Sequence, residues 1–349
     1  MKKILLLYLF IAPLHVAAQN PREYWEWTKS IGGAGDEVAA SFKLKNGYLY
    51  ITGTFTSPTL VWDNTTLNNN GGRDIFIAKI DTTGNTVWVK SFGGTADDSV
   101  SLLEINNSNQ FVLLCKSASP SIDLTSDTLI SPQNFYAKFD ENGNLLKSRV
   151  LPDSLAYTDI EIDNSGGIYA ACNYYSSFVF AGKTVSLNSP LIGTPRFYLP
   201  DNPDYYYSFG TWPPVSGASS ALLKYDSLGN ELWMKLFHSS PVTLQIAYDN
   251  TNIIAMFVHN GATVYDSTLF SNIYINENFH LGYNTFENLT VVLSENGVTQ
   301  RVLNDHTRVN FFHDFHFSKN GLGYASTSYQ FHMPSTGGTY TDGADLKVF

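Results

Sequence analysis

Cysteine is nearly absent from this 349-residue chain, with Cys115 and Cys172 the only two. Both stand where Gly53 stands in YLYITGTF, in FVLLCKS and IYAACNY. Equivalent places in neighbouring repeats are too far apart to bridge, since Cα atoms beyond about 7 Å cannot be joined. Buried free thiols are therefore expected rather than a disulfide framework. Charge is sparse and one-sided: 21 Lys and Arg face 31 Asp and Glu, a net of -10. With no basic cluster, such a chain repels phosphate backbones, which argues against a nucleic-acid partner. Long apolar runs are missing too. The one apolar stretch at the start, Ile4 to Ile11, is too short to span a bilayer, and no other segment is long enough. Also missing are a nucleophile elbow, a phosphate loop, a zinc-ligand spacing and any long amphipathic helical pattern.

The first eighteen residues read as a leader. Lys2 and Lys3 form a positive start, the apolar run follows, and Val16-Ala17-Ala18 is a small-residue cleavage site before Gln19. No Cys follows the apolar run, so nothing suggests a lipid anchor. Without Lys2 and Lys3 the balance is 19 basic against 31 acidic residues, or -12. The expectation is a secreted or periplasmic protein whose residues 19–349 make one domain.

What the chain does contain is a repeat. GGRDIFIAKIDTTGNTVWVKSFGGTADDSV, with Asp74 near its start and ending at Val100, returns as NFYAKFDENGNLLKSRV and SALLKYDSLGNELWMKLF, and more faintly as NLTVVLSENGVTQRVL. In the first unit four strand-like runs are separated by turn signals: Glu37 to Leu44, Tyr48 to Phe55, Asp74 to Ile80 and Thr86 to Phe92. Between the third and fourth runs lies an Asp-x-x-Gly-Asn loop, carrying Gly84, Gly143 and Gly229 in successive units. Glycine there predicts a tight hairpin, because it takes positive φ without a Cβ clash. A calcium loop is the competing reading, but these loops lack a bidentate Glu at the required spacing. The second run also recurs, from Asn46, Ser108, Gly166, Thr251 and Gly321, which makes five units. Runs such as Ile75-Phe76-Ile77-Ala78 do not alternate, so both faces of these strands are buried. Small sheets buried on both faces and repeated at this length describe β-propeller blades.

The ends bear on the count. Gly343 to Phe349 reads as a third strand without a fourth. Tyr24 to Ile31 reads as an unpartnered fourth strand, with Trp27 standing where Trp88 and Trp233 stand later. If the N-terminal strand completes the last blade, five four-stranded blades close into a ring with no exposed edge. A truncated piece of a longer array is the alternative. The three tryptophans are expected to pack between adjacent sheets. These residues resemble the bacterial SBBP-type β-propeller repeat, whose units read roughly W-x-K-x-x-G-G-x-x-x-D, then G-x-Y-x-x-G, then D-x-F-x-x-K-x-D-x-x-G-N. The resemblance is good over Trp27 to Gly94, fair to about Arg149, and present again around Tyr225 to Lys235. It implies a propeller in a secreted, Bacteroidetes-like setting and no defined activity. Nothing here resembles the C-terminal sorting domain that many such proteins carry.

In four-stranded blades the loops alternate between two faces. The Gly-rich connections Gly32 to Asp36 and Gly93 to Asp97 lead into the innermost strands, and their face is the candidate for ligand binding. That face also receives the one large insertion, about Val179 to Ala218 in the third unit. It holds Phe197, Tyr198, Tyr205, Tyr206, Tyr207, Phe209 and Trp212 among six prolines. Rings in a long loop either bind a sugar or protein partner or simply pack over the blade edge. Tyr205, Tyr206, Tyr207 and Trp212, with Asp36 and Asp97, are the candidate ligand-binding residues.

Histidines cluster late, at His306, His313, His316 and His332. On an alternating strand His313 and His316 point apart, while Asp314 and His316 share a face and would serve as a metal or acid-base pair. Histidines satisfied in the core are the commoner case, and no metal or cofactor is expected. Asp36, Asp97, Asp159 and Asp314 begin or line the inner strands and would be the carboxylates of a hydrolase. Three readings stand: a non-catalytic module binding a glycan or protein through the Gly-rich face, a glycoside hydrolase or lyase using channel carboxylates, and a structural module of a surface assembly. Converging carboxyl groups favour the second; an aromatic-lined groove without them favours the first.

Overall fold

Alternation of apolar runs with Gly- and Asn-bearing turns produces an all-β, propeller-like chain, with no helix among the described residues. The structure, a computed structural model, describes residues 27–124, 127–130, 133–186, 197–199, 202–207, 219–238, 244–260, 262–265, 268–271, 286–309, 312–317, 324–330 and 343–348. The first sheet is antiparallel and runs in chain order through Glu37–Lys45, Tyr48–Phe55, Asp74–Asp81 and Thr86–Phe92. The second repeats this with Asp98–Ile105, Phe111–Ser117, Asn134–Phe139 and Leu145–Leu151. The third has Leu155–Ile162, Ile168–Tyr174, Ser219–Tyr225 and Glu231–His238, and the fourth Leu244–Tyr248, Asn252–Asn260, Phe286–Ser294 and Thr299–Val309. A last sheet has three strands, Phe312–Phe317, Tyr324–Gln330 and Gly343–Val348.

The first four sheets stack face to face, which is why their middle strands are apolar on both sides. Tyr50, Ile75 and Ile77 of the first sheet share a cluster with Leu103, Phe111 and Phe135 of the second. Val112, Leu114 and Tyr136, on the second sheet's other face, join Ile160, Ala170 and Leu223 of the third. Tyr169, Ala171 and Leu222 continue the stack to Ile253, Ala255 and Val291 of the fourth. Innermost strands of the first four sheets stand side by side in chain order. Three of them carry a bulge at one equivalent place, within Ala39–Ser41, Val100–Leu102 and Tyr157–Asp159. Cys115 and Cys172 are buried free thiols on the second strands.

A clamp fastens the N-terminal segment to the first sheet, and the outer strands of the first three sheets to the sheets that follow them. The indole Nε1 groups of Trp27, Trp88 and Trp233 donate to the carbonyls of Thr82, Glu141 and Glu295 at 2.9, 3.2 and 3.1 Å. Each ring lies against the next hairpin's glycine, Gly84, Gly143 or Gly297, all at positive φ. Two residues on, the ammonium groups of Lys29 and Lys90 donate to the Gly84 and Gly143 carbonyls. Between the second and third sheets, Arg149 makes the equivalent bond to Gly229. All three indoles pack on the neighbouring sheet while remaining partly exposed.

In the first four sheets, each connection between second and third strands holds a hairpin of its own, where the sequence pattern shows a loop. These are Thr59–Trp62 with Thr65–Asn68, Ser121–Asp123 with Thr128–Ile130, Phe178–Phe180 with Lys183–Val185, and Ala262–Tyr265 with Thr268–Ser271. Three of them reach back to the preceding outer strand. Gly32 bridges Val61, Gly93 bridges Asp123, and Ala262–Tyr265 extends the third sheet beside Glu231–His238. In the third unit the regular hairpin occupies the start of the expected insertion, so the extra chain begins after it and contains the hairpin Phe197–Leu199 with Asn202–Tyr207.

The N-terminal segment is only partly described: residues 24–26 lie outside, and 27–31 form no strand. Among the described residues nothing pairs as a fourth strand with Gly343–Val348.

The clamp sets two stability expectations. Trp88→Ala costs about 2–3 kcal/mol in chemical denaturation, below the roughly 3–5 of a fully buried ring, because part of the indole is already in water. Gly143→Ala costs more than the roughly 1 kcal/mol of an ordinary glycine replacement. It must hold φ +71 while its Cβ sits 3.2 Å from both Trp88 and Lys90.

Candidate functional site

The Gly-rich loops are held by a carboxylate paired with a serine, buried in the second sheet and half-buried in the first. In the second sheet Asp98 accepts from Gly94 N at 2.6 Å and from Ser119 Oγ at 3.0 Å, and Ser117 Oγ donates to its other oxygen. In the first, Glu37 takes Gly33 N at 3.1 Å and Ser57 Oγ, whose oxygen in turn accepts from Gly35 N. The expected ligand residues stand one place earlier and point elsewhere. Asp36 is exposed, its N–H donating to Thr56 Oγ1 and its carbonyl accepting from Thr56 N. Exposed Asp97 caps Arg73 N at 3.0 Å, a loop role that needs no ligand. Tyr205, Tyr206 and Tyr207 belong to the strand Asn202–Tyr207, their side chains lying outside the described residues, as does Trp212 entirely. Of the six expected ligand residues, the side chains of Asp36 and Asp97 alone are described.

Asp314 and His316 belong to Phe312–Phe317, but that strand's pairing slips between Phe312 and Phe315. The side chains of both residues lie outside the described residues. Among the described residues no group of three or more His, Cys, Asp or Glu is arranged to hold a metal ion. The Asp-x-x-Gly-Asn carboxylates are consumed internally: Asp140 Oδ1 accepts from Asn142 N and Asn144 N at 2.9 and 2.8 Å, and Asp81 and Asp226 do the same.

Along the axis, charged residues recur at one repeat position: Lys43, Glu104 and Glu161. Lys43 crosses from the first sheet to pair with Glu104 at 2.5 Å. Burial pushes the Glu104 carboxyl up to about 7, against the pull of Lys43. Burial also lifts Glu161 well above the usual range, with Glu104 and Asp159 adding repulsion. Asp159 stitches the third sheet to the fourth, accepting Ile246 N at 2.8 Å beside the Thr158 Oγ1 bond to the Leu244 carbonyl. A charge recurring in the strand ends FKLK, LEIN and IEID is readable in sequence. Pattern reading for hydrophobic periodicity passes over it.

On the opposite face, the hairpin face that carries the Asp-x-x-Gly-Asn turns, the axis is capped by asparagines. Asn107 Nδ2 donates to Asn250 Oδ1 at 2.5 Å, Lys45 Nζ to Asn107 Oδ1 at 2.6 Å, and Asn46 Nδ2 to Asn109 Oδ1 at 2.7 Å. The space they leave, with Glu161 at its edge, measures about 80 Å³. The Gly-rich side differs. Between the second and third sheets a cleft of about 450 Å³ opens beside Ser99, Ser101, Lys116, Asn134, Asp153 and Tyr175, over Leu114 and Leu155.

No protein-family model and no curated protein matches the chain. Solved structures resemble it weakly. A protein of unknown function from Bacteroides caccae is 11% identical with a TM-score of 0.31, over 73% of this chain and 79% of that one. Pyrococcus horikoshii acylaminoacyl peptidase is 8% identical with a TM-score of 0.38, over 84% of this chain and 43% of that one. A Synechocystis apocarotenoid oxygenase mutant is 9% identical with a TM-score of 0.31, over 76% of this chain and 59% of that one. The chain thus spans less than two thirds of the peptidase and of the oxygenase, and likeness of this order carries no argument about activity. Among the described residues no helix is long and apolar enough to cross a membrane.

One carboxyl on the Gly-rich side gives a pH expectation. Asp74 is fully buried, accepts Asn70 N through Oδ2, and leaves Oδ1 without a partner. Burial raises it to about 6 from 3.8. The folded state therefore holds this proton more tightly than the unfolded chain. Its stabilisation is full below 3.8 and is lost as pH rises through about 6. Asp74→Asn removes the titration and is expected to gain about 1–2 kcal/mol at pH 8 relative to pH 4, read by urea denaturation at both values.

Proposed function

We propose that this chain is a secreted propeller of five blades, built from the SBBP-type repeats its sequence resembles. In this reading it binds a glycan or protein without catalysis, through the face bearing the Gly-rich loops. The observation that carries the proposal is the asymmetry of two spaces among the described residues: a cleft of about 450 Å³ on the Gly-rich side against about 80 Å³ under the asparagine cap. Secretion rests on the leader-like residues 1–18. A blocking experiment separates the faces. Cys115 and Cys172 are buried, and burial raises both thiols far above their ordinary value, so an added surface cysteine is labelled selectively. Bulky maleimide-polyethylene glycol on Thr95→Cys, on the Gly-rich face, is expected to abolish binding to an array of immobilised polysaccharides. The same adduct on Asn142→Cys, on the hairpin face, should leave it intact. The reverse pattern would overturn the proposal.

Closure draws its support from Trp27, Lys29 and Gly32. They sit on the first sheet as Trp88, Lys90 and Gly93 sit on the second, down to the Gly32–Val61 and Gly93–Asp123 bridges. Val38, Phe42 and Leu44, 57%, 70% and 67% exposed on the innermost strand, offer an apolar face for a further sheet. Carrying the Phe76–Ser91 pairing over to the last blade sets Lys347 opposite Ser30. A Ser30→Cys, Lys347→Cys protein should cross-link on mild oxidation, as neighbouring Cα atoms in a ladder permit. Two thiols that stay free would end the five-blade ring.

A hydrolase or lyase reading draws on the crowding of Glu104, Asp159 and Glu161, where burial keeps a carboxyl protonated near neutral pH as acid catalysis requires. It expects new reducing ends from the bound polysaccharide, lost in Glu161→Gln. The binding reading expects none.

A further inference from the structure

The cleft between the second and third sheets exists because its walls are small. Ser99 and Ser101 line one wall and Ala156 the other, and both innermost strands bulge beside them, at Val100–Leu102 and Tyr157–Asp159. A bulge turns side chains away from the ladder direction and commonly borders a functional site. The two serine hydroxyls spend their protons on the protein: Ser99 Oγ donates to the Lys116 carbonyl at 3.3 Å and Ser101 Oγ to the Leu114 carbonyl at 3.2 Å. Their oxygens are thereby left as acceptors. Lys116 and Asp153 stand in the same cleft, and among the described residues neither has an ion-pair partner. The Tyr175 ring is 59% exposed, and Leu114 and Leu155 supply an apolar floor.

We infer that this cleft is a binding site for a neutral, hydroxyl-dense carbohydrate segment. The inference rests on the face-level reading above and names the ligand class for it. The cleft is lined by both acceptors and donors, with serine oxygens and the Asp153 carboxylate on one hand and the Lys116 ammonium and Asn134 amide on the other. Vicinal sugar hydroxyls, each donating and accepting at once, suit such a mixed lining. Asp153 can take two adjacent hydroxyls, and the Tyr175 ring offers a flat surface to the C–H face of a sugar. An anionic polymer would meet Asp153 with like charge. A peptide would leave most of its own apolar side chains over polar walls. The volume, about 450 Å³, lies within the roughly 300–1,000 Å³ of small-ligand sites.

The test is isothermal titration with maltohexaose, xylohexaose and cellohexaose as neutral probes, and hexagalacturonate and pentaglycine as controls. At least one neutral hexasaccharide should bind. Asp153→Ala and Tyr175→Ala, both at exposed positions, should each weaken it about tenfold or more at unchanged melting temperature. Unchanged affinity in both variants, with binding still blocked by the Thr95 adduct, would move the sugar elsewhere on the same face. That result overturns the cleft assignment and leaves the face reading standing. Binding of hexagalacturonate or pentaglycine alone overturns the ligand class. Binding of none of the neutral probes overturns the inference outright.

Discussion

The middle strands of the first four sheets are apolar on both faces, so none of these sheets is stable alone, and the structure depends on how one sheet is fastened to the next. The fastening is polar as well as hydrophobic. An indole N–H and an ammonium two residues later reach the carbonyls of the following hairpin, carbonyls that a tight turn would otherwise leave to water. The positive-φ glycine allows it, because any side chain there would meet the ring. Turn conformation, inter-sheet packing and the direction in which sheets succeed one another thus come from one four-residue loop and one Trp-x-Lys strand. Where the second sheet lacks the tryptophan, Arg149 keeps the polar half of the contact and adds an ion pair with Glu231 at 2.7 Å.

The lack of charge noted at the outset has a counterpart at the axis. Where the chain does place ionisable groups inside, it answers most of them. Lys224 pairs with Asp163 over the Tyr169 ring, and Lys138 gives two bonds of 2.8 Å to the carbonyls of Gly166 and Ser227. Glu104 pairs with Lys43, while Glu161 has the more distant pull of the same ammonium and the Ile162 N–H against the repulsion of Glu104 and Asp159. The open cleft lies on the Gly-rich side of this axis, where small residues and bulges hold the sheets apart.

Local patterns made much of the fold legible. The boundaries read for the first four strands differ from those found by a residue at most, because apolar runs, glycine turns and the Asp-x-x-Gly-Asn loops all agree there. The hairpins inside the second connections were missed, since SPTLVWDNTTLNNN reads as polar loop unless the burial of Leu60, Trp62 and Leu67 against the sheet is known. Site residues were the least legible. Asp36 and Asp97 drew attention as acids in turns, whereas the adjacent Glu37 and Asp98 hold the loops through serines some twenty residues away. The cleft is defined by Ser99, Ser101 and Ala156, residues whose significance is their small size between two sheets, and no spacing rule marks that.

The hairpins that reach back to the preceding outer strand give the molecule two periods that are out of step. Genetically, the unit runs from one Gly-rich loop to the next; structurally, a sheet is finished only when the following unit lends its hairpin, as Ala262–Tyr265 does for Glu231–His238. A chain emerging from a ribosome or a translocon can therefore complete each sheet only after roughly half of the next has appeared. Gain or loss of a whole unit leaves every junction with the same kind of partner, while a cut at a sheet boundary strips the last sheet of its cover. Selection on such a chain acts on junctions, and the sequence of any one sheet is free to drift so long as its two handshakes survive.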